Sequence, residues 1–279
     1  MTADSLPGET AVGRVALTVT DLARAVEFYR SVVGLAVISE REGQAVLGAG
    51  DRPLLVLDHD PDAPERPREA AGLFHTAFRV PDRAALADAL ARVESESDLA
   101  GASDHRVSEA LYLWDPEGNG VEIYCDRPRE EWPIADGRVQ MDTLGLDLDD
   151  LRTEASGADS VPADTDIGHV HLEVTSLEAA RTFYVDRVGL DVRQELNGAL
   201  FAAAGEYHHH VGLNRWNGRS EPASGRGLAW VELLVPDDET LTAVRERLAG
   251  AGIGVRDTDD GIAVTDPDGI GVHFAVAEA

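Results

Sequence analysis

The sequence contains no lysine. Its 24 basic residues are all arginine, against 52 aspartates and glutamates, so the net charge is −28 over 279 residues. A surface this poor in positive charge repels nucleic acid and anionic membranes, and neither is expected as a partner. The single cysteine, Cys125, excludes a disulfide framework and a cysteine-based zinc site. No apolar run approaches the ~20 residues of a membrane span, and the opening MTADSLPGET is too polar for a signal peptide, so a cytoplasmic protein is expected. Gly48-Ala49-Gly50 lacks the context of a phosphate loop, no serine elbow occurs, and nothing in the sequence activates Cys125. The acidic residues are dispersed, though dense over 142–166. Such a surface suits a salt-rich cytoplasm, where screening removes self-repulsion, and a halophilic source is expected.

What is present is a repeat. Val19–Leu35 matches Val174–Leu190, both ending in Val-Gly-Leu, and Gly72–Asp82 matches Gly227–Asp237; both pairs lie 155 positions apart. Asp115-Pro-Glu-Gly-Asn-Gly-Val121 matches Asp266-Pro-Asp-Gly-Ile-Gly-Val272 at an offset of 151. Two duplicate halves are predicted, a first domain over 11–126 and a second over 167–279, joined by an acidic linker over 127–166.

Each half holds two smaller units of one pattern. An alternating strand leads into a capped amphipathic helix and then short strands. In the first unit Asp21 is placed to cap the helix, Leu22, Ala25, Val26, Tyr29, Val32 and Val33 form its buried stripe, and Gly34 ends it. In the second, Asp82 opens a helix whose stripe is Leu86, Leu90 and Val93. The fold class is therefore α+β: four βαβββ modules near 13–58, 73–125, 168–214 and 228–276, forming two cup-shaped domains with helices on the convex side. Within the second module, Leu111–Trp114, the turn Asp115–Gly120 and Val121–Tyr124 read as strand, tight turn and strand, and Glu122 is a carboxylate in an otherwise apolar strand.

The phrases VALTVTDLARAVEFYRSVVGL, GLFHTAFRVPD, GASDHRVSEALYLWDPEGNGVEIYCDRP, IGHVHLEVTSLEAARTFYVDRVGL and GEYHHHVGLNRW resemble the vicinal oxygen chelate superfamily. That superfamily includes glyoxalase I, bleomycin-resistance proteins and extradiol ring-cleaving dioxygenases, and these phrases look like its catechol 2,3-dioxygenase branch. The resemblance covers nearly the whole chain outside 127–166.

Alternation sorts each first strand into a face under the helix and a face into the cup. It turns His75 and Ala77, Glu122, and His169, His171 and Glu173 inward. The duplication supplies a control: His169 corresponds to Arg14, His75 to Trp230 and Glu122 to His273. Modules two and three carry the ligand types, modules one and four a poor set. Pairing two with three would unite His75, Glu122 and His169; pairing three with four would offer His169, His210 and His273 instead.

Two imidazoles and one carboxylate on one side of a metal form the facial triad of non-haem Fe(II) oxygenases, with open positions for a catecholate and O₂. The resemblance implies that His75, His169 and Glu122 hold Fe(II), with Mn(II) accepting the same set, and that the substrates are a catechol-type diol and O₂. It further implies an acid/base histidine within His208–His210; alternation favours His210, the register of the family His209. Tyr112 resembles the family's substrate-hydrogen-bonding tyrosine and His105 its substrate-orienting histidine. His59 and His171 are read as structural, and Trp114, Trp216 and Trp230 as packing residues. Two alternatives are carried: a glyoxalase I-like metal-dependent isomerase, which would want a second carboxylate, and a metal-free binding protein on the same fold. A homo-oligomer is compatible with all three.

Overall fold

In the computed structural model, which describes residues 5–135 and 137–277, every repeat becomes a strand, a helix and three further strands. The first module runs β1 (Ala11–Val19), α1 (Leu22–Phe28), β2 (Ala36–Arg41), β3 (Gln44–Ala49) and β4 (Arg52–His59). The second runs β5 (Gly72–Arg79), α2 (Arg83–Glu96), β6 (Gly101–Asp104), β7 (Ser108–Trp114) and β8 (Gly120–Asp126). Between the halves come β9 (Ile134–Ala135), β10 (Arg138–Val139), β11 (Leu144–Gly145) and α3 (Leu148–Arg152). The third module runs β12 (Asp166–Glu173), α4 (Leu177–Arg181), β13 (Asp191–Leu196), β14 (Ala199–Ala203) and β15 (Val211–Asn214). The fourth runs β16 (Gly227–Val235), α5 (Asp238–Gly250), β17 (Arg256–Asp257), β18 (Gly261–Thr265) and β19 (Gly271–Val276). No helix among the described residues is long and apolar enough to cross a membrane.

Local chemistry sets these boundaries. Asp21, Asp82, Ser176 and Asp237 each accept a backbone N–H three residues on, relieving an orphan donor of the first turn. α1 and α4 both continue as a π-helical turn, over Tyr29–Val33 and Thr182–Arg187. Gly34 and Gly189 follow with φ of 92° and 94°, a left-handed conformation that glycine adopts without a Cβ clash.

The chain divides into two compact units. One comprises Ala16–Ala63 and His75–Ile167, the other the residues up to Val15, Pro64–Phe74 and those from Gly168 on. In the unit that holds Ala16–Ala63, β2, β3 and β4 are antiparallel neighbours, and a second run follows the order β11-β6-β7-β8-β5. β5 lies parallel to β8, as a βαβββ module requires of its first and last strands. Phe78, Leu111, Val121 and Ile123 share the helix face of this sheet, and they are buried along with the Leu86, Leu90 and Val93 stripe of α2. The other unit repeats the plan twice, as β12-β15-β14-β13 and β16-β19-β18-β17, again with first and last strands parallel.

The described residues of 127–166, read as a linker, are folded against the first two modules. β11 extends the edge of β6, with Leu144 opposite Asp104, and Leu151 of α3 is buried. Asp88 of α2 accepts the backbone N–H groups of Ser156 and Gly157, both at 2.7 Å. Acidic composition hid this, because the stretch is held by a few buried apolar residues and by hydrogen bonds rather than by a periodic stripe. Trp114 also departs from expectation: it is 55% exposed at the end of β7 instead of packed.

The same bond recurs in both units. Tyr29, on the π turn after α1, donates to Asp115 of the second module's turn at 3.1 Å, and Tyr184 donates to Asp266 of the fourth module's turn at 3.0 Å. Burial raises both carboxyls, Asp266 to about 6, with the hydrogen bonds opposing it. A folded value above the unfolded one means that ionising Asp266 opposes folding. Its contribution is fully present below the ordinary carboxylate range and is lost as pH rises through about 6. Asp266→Asn keeps an acceptor for the Asp268 and Ile270 amides. Relative to wild type, the variant should gain about 3 kcal/mol between pH 4 and 7.5, read by urea unfolding at each pH. A difference independent of pH would refute this.

Candidate metal centre

The inward face of the second module is built by strand register. Ala77 of β5 and Tyr112 of β7 stand opposite Glu122 of β8 on either side, and Ala110 stands opposite Tyr124. Ala77, Ala110 and Tyr124 are buried together, with Tyr112 packed against them. His75, two residues before Ala77, shares their face. Its Nε2 lies 2.9 Å from Glu122 Oε2, with both side chains almost wholly buried. A buried carboxylate needs a cation or a proton, and the imidazole 2.9 Å away is a partner for it.

Tyr112 and His105 join this face. His105 Nε2 lies 2.6 Å from the Tyr112 hydroxyl, and its Nδ1 lies 2.6 Å from the carbonyl oxygen of Asp142. A carbonyl only accepts, so Nδ1 carries the hydrogen. Burial first, then the charge of Glu122, raises the Tyr112 hydroxyl well above its ordinary value, and it stays protonated at neutral pH. Asp142, in the segment between the halves, was not singled out in the sequence. A backbone carbonyl carries no signal in residue type.

The inward face of the third module is richer. His169, His171 and Glu173 are buried along one side of β12, as alternation predicts. His171 lies flat over Gly212, opposite it on β15, where any Cβ would come within 2.3 Å of the ring. It also packs tilted against Phe74, Phe201 and Trp216. Glu173 is held by Arg66 and Arg219, each at 2.8 Å, and by Asn217 at 2.7 Å. The pattern His-x-His-x-Glu was the signal for all three.

The histidine run is not strand. β15 begins at Val211, and Gly205–His210 forms turns and a bend, so alternation does not apply there. All three rings are buried. His210 is fixed to the sheet: its N–H donates to Ala202, its carbonyl accepts from Val170, and its Nδ1 accepts from the Ala204 amide at 3.2 Å. His209 turns toward β12, its ring centroid 4.1 Å from that of His169 and its Nε2 2.9 Å from His171 Nε2. His208 lies behind it, with Nδ1 2.7 Å from His209 Nδ1.

The fourth module shows the degenerate copy. Glu232 stands opposite His273 as Ala77 stands opposite Glu122, which puts Trp230 at the place of His75. Trp230 stacks on His273, centroids 4.5 Å apart and planes 8° from parallel, with the Arg14 guanidinium 5.7 Å from the Trp230 ring. Glu232 takes two hydrogen bonds from the Arg14 side chain and one from its backbone. Burial lowers His273, which favours the neutral ring. This cup face is filled by its own side chains. Cys125 is buried, and its thiol is pushed up to about 12, so it offers no thiolate nucleophile.

Residues 11–123 and 166–274 match the family described as the Glyoxalase/Bleomycin resistance protein/Dioxygenase superfamily. The chain is 41% identical over 273 residues to the catechol-2,3-dioxygenase of Bacillus subtilis (strain 168), a match spanning 94% of this chain and 96% of that protein. It is 28% identical over 144 residues to biphenyl-2,3-diol 1,2-dioxygenase 3 of Rhodococcus globerulus, covering 49% of this chain and 76% of that one. Among solved structures, a putative dioxygenase from Bacillus subtilis superposes with a TM-score of 0.66 at 15% identity, covering 99% of this chain and 87% of that one. Glyoxalase I from Zea mays gives 0.60 at 16%, covering 96% and 92%. Identities this low speak for the fold alone.

Proposed function

The chain belongs to the Glyoxalase/Bleomycin resistance protein/Dioxygenase superfamily, and from that premise we propose that it is an extradiol dioxygenase that opens catechol-type rings beside the two hydroxyls. The observation that carries this is the buried His75–Glu122 pair, joined to a relative of known name across nearly the whole chain. His75, Glu122 and His169 would hold one Fe(II), with Mn(II) accepting the same donors. A carboxylate and two neutral imidazoles fit such an ion. Bound there, the metal would bring catecholate and O₂ together on one centre, removing the entropic cost of their meeting. Both oxygen atoms enter the product, and no external reductant is needed.

The chain's own residues then orient substrate and move protons. Tyr112, protonated at neutral pH, hydrogen-bonds a substrate oxygen, and His105, fixed by the Asp142 carbonyl, sets the direction of that hydroxyl. His209 is the acid/base residue, because its ring stands beside His169 while His210 is tied to the Ala204 amide. A glyoxalase-like reaction would want a further free carboxylate; the nearest on the β12 face, Glu173, is neutralised by two guanidiniums.

Iron-loaded protein given catechol should consume one O₂ per catechol and form a yellow ring-opened product, followed with an oxygen electrode and absorbance. Hemithioacetal turnover without oxygen uptake would overturn the proposal. His209→Ala should lower kcat by about 10²–10⁴-fold with iron content unchanged by elemental analysis. Unchanged kcat would remove His209 from its role.

A further inference from the structure

The third module carries a second set of donors, of which the proposed reaction uses only His169 as a ligand. His169, His208 and His209 each offer a ring nitrogen, and these three atoms lie within 4.8 Å of one another in one buried cluster. His208 Nδ1 is 2.7 Å from His209 Nδ1, and the His169 ring lies 4.1 Å from His209 and 5.9 Å from His208, centroid to centroid. Two Nδ1 atoms at that separation cannot both carry hydrogen, so at least one lone pair points at its neighbour. A cation between them would use both.

We propose that His169, His208 and His209 form an all-imidazole site for a zinc-class divalent cation, competing with the catalytic metal for His169. The donor set decides the class. Three neutral nitrogens and no carboxylate suit Zn²⁺ or Cu²⁺, which stand above Fe²⁺ and Mn²⁺ in affinity for imidazole. Three histidines with one position left for water is a geometry that zinc adopts readily. The backbone supports it: His208 and His209 lie in the irregular stretch before β15, which lets two consecutive histidines point to one place, as a regular strand forbids. Zinc held here would withdraw His169 and cover His209, and so inhibit without touching Glu122. The zinc site stands on residues of one compact unit, while its competition for His169 rests on the proposed iron ligands.

The test uses full-length, metal-stripped protein dialysed against buffered Zn²⁺, with bound metal per chain measured by elemental analysis. Glu122→Ala should retain one zinc with a Kd within threefold of wild type. Glu122→Ala combined with His208→Ala should bind at least thirtyfold more weakly. Loss of zinc from Glu122→Ala alone, or equal binding by the single and double variants, would overturn the proposal. Long-range ¹H–¹⁵N spectra of the unsubstituted chain give an answer independent of variant folding. Zinc should shift the ring nitrogens of His208 and His209, and an unmoved His208 would overturn it.

Discussion

Glu122→Ala is expected to leave the purified protein with less than one-tenth of the wild-type iron, and to lower ring-cleaving activity by on the order of 10³-fold or more, since a metal's charge stabilisation is worth several kcal/mol and each 1.36 kcal/mol is tenfold in rate. The carboxylate is the only charged donor in the proposed set. Without it, two neutral imidazoles face a divalent cation in a buried site, and Fe²⁺ binds such a pair poorly. His169→Ala should give the same loss. His273→Ala and Arg14→Ala should not, because Trp230 and His273 are stacked on each other and Arg14 is committed to Glu232. The four variants together test which modules share the ion. Iron lost from His273→Ala alone would sink the assignment to His75, Glu122 and His169.

The second large effect is on stability. Raising KCl from 0.1 to 2 M should raise the thermal midpoint by about 10 °C or more, measured by circular dichroism at constant pH; 1 kcal/mol corresponds to roughly 2–4 °C for chains of 150–250 residues. A net charge of −28 resides on one chain. For a globule of this size, screening on going from 0.1 to 2 M salt lowers the self-repulsion by on the order of 10 kcal/mol, part of which the expanded unfolded chain recovers. Salt also weakens exposed pairs such as Arg30–Glu27 and Arg152–Glu94. Such pairs are worth only ~0–1 kcal/mol each, so the net repulsion dominates. A midpoint that falls with KCl would show that the arginine pairs outweigh it.

The fold was legible because duplication writes each instruction more than once. Asp21, Asp82 and Asp237 cap helices at matching places, and Gly34 and Gly189 end two helices in the same conformation. The faces carrying His75, Glu122 and His169 were legible for a different reason: strand period is two, and an apolar residue under the helix fixes its neighbour's direction. Legibility failed where the backbone left that period. His208–His210 could not be ordered by alternation because they lie in irregular backbone before β15. His171, read as structural, touches His209 and rests on Gly212. The hold of the Asp142 carbonyl on His105 was invisible, since it depends on a main-chain atom of a segment whose acidity suggested only a tether.

The Tyr29–Asp115 and Tyr184–Asp266 bonds bear on how such a gene can be cut and rejoined. Each lies between consecutive modules, and each joins a buried hydroxyl to a buried carboxylate. A crossover between modules one and two, or three and four, would give one product a tyrosine and the other an aspartate with no mate, at a cost of about 1–3 kcal/mol for each stranded group. A crossover between modules two and three breaks neither bond. The smallest segment that can be copied or exchanged without that loss is therefore a module pair, and the sequence repeats at that scale: the tyrosines lie 155 positions apart and the aspartates 151.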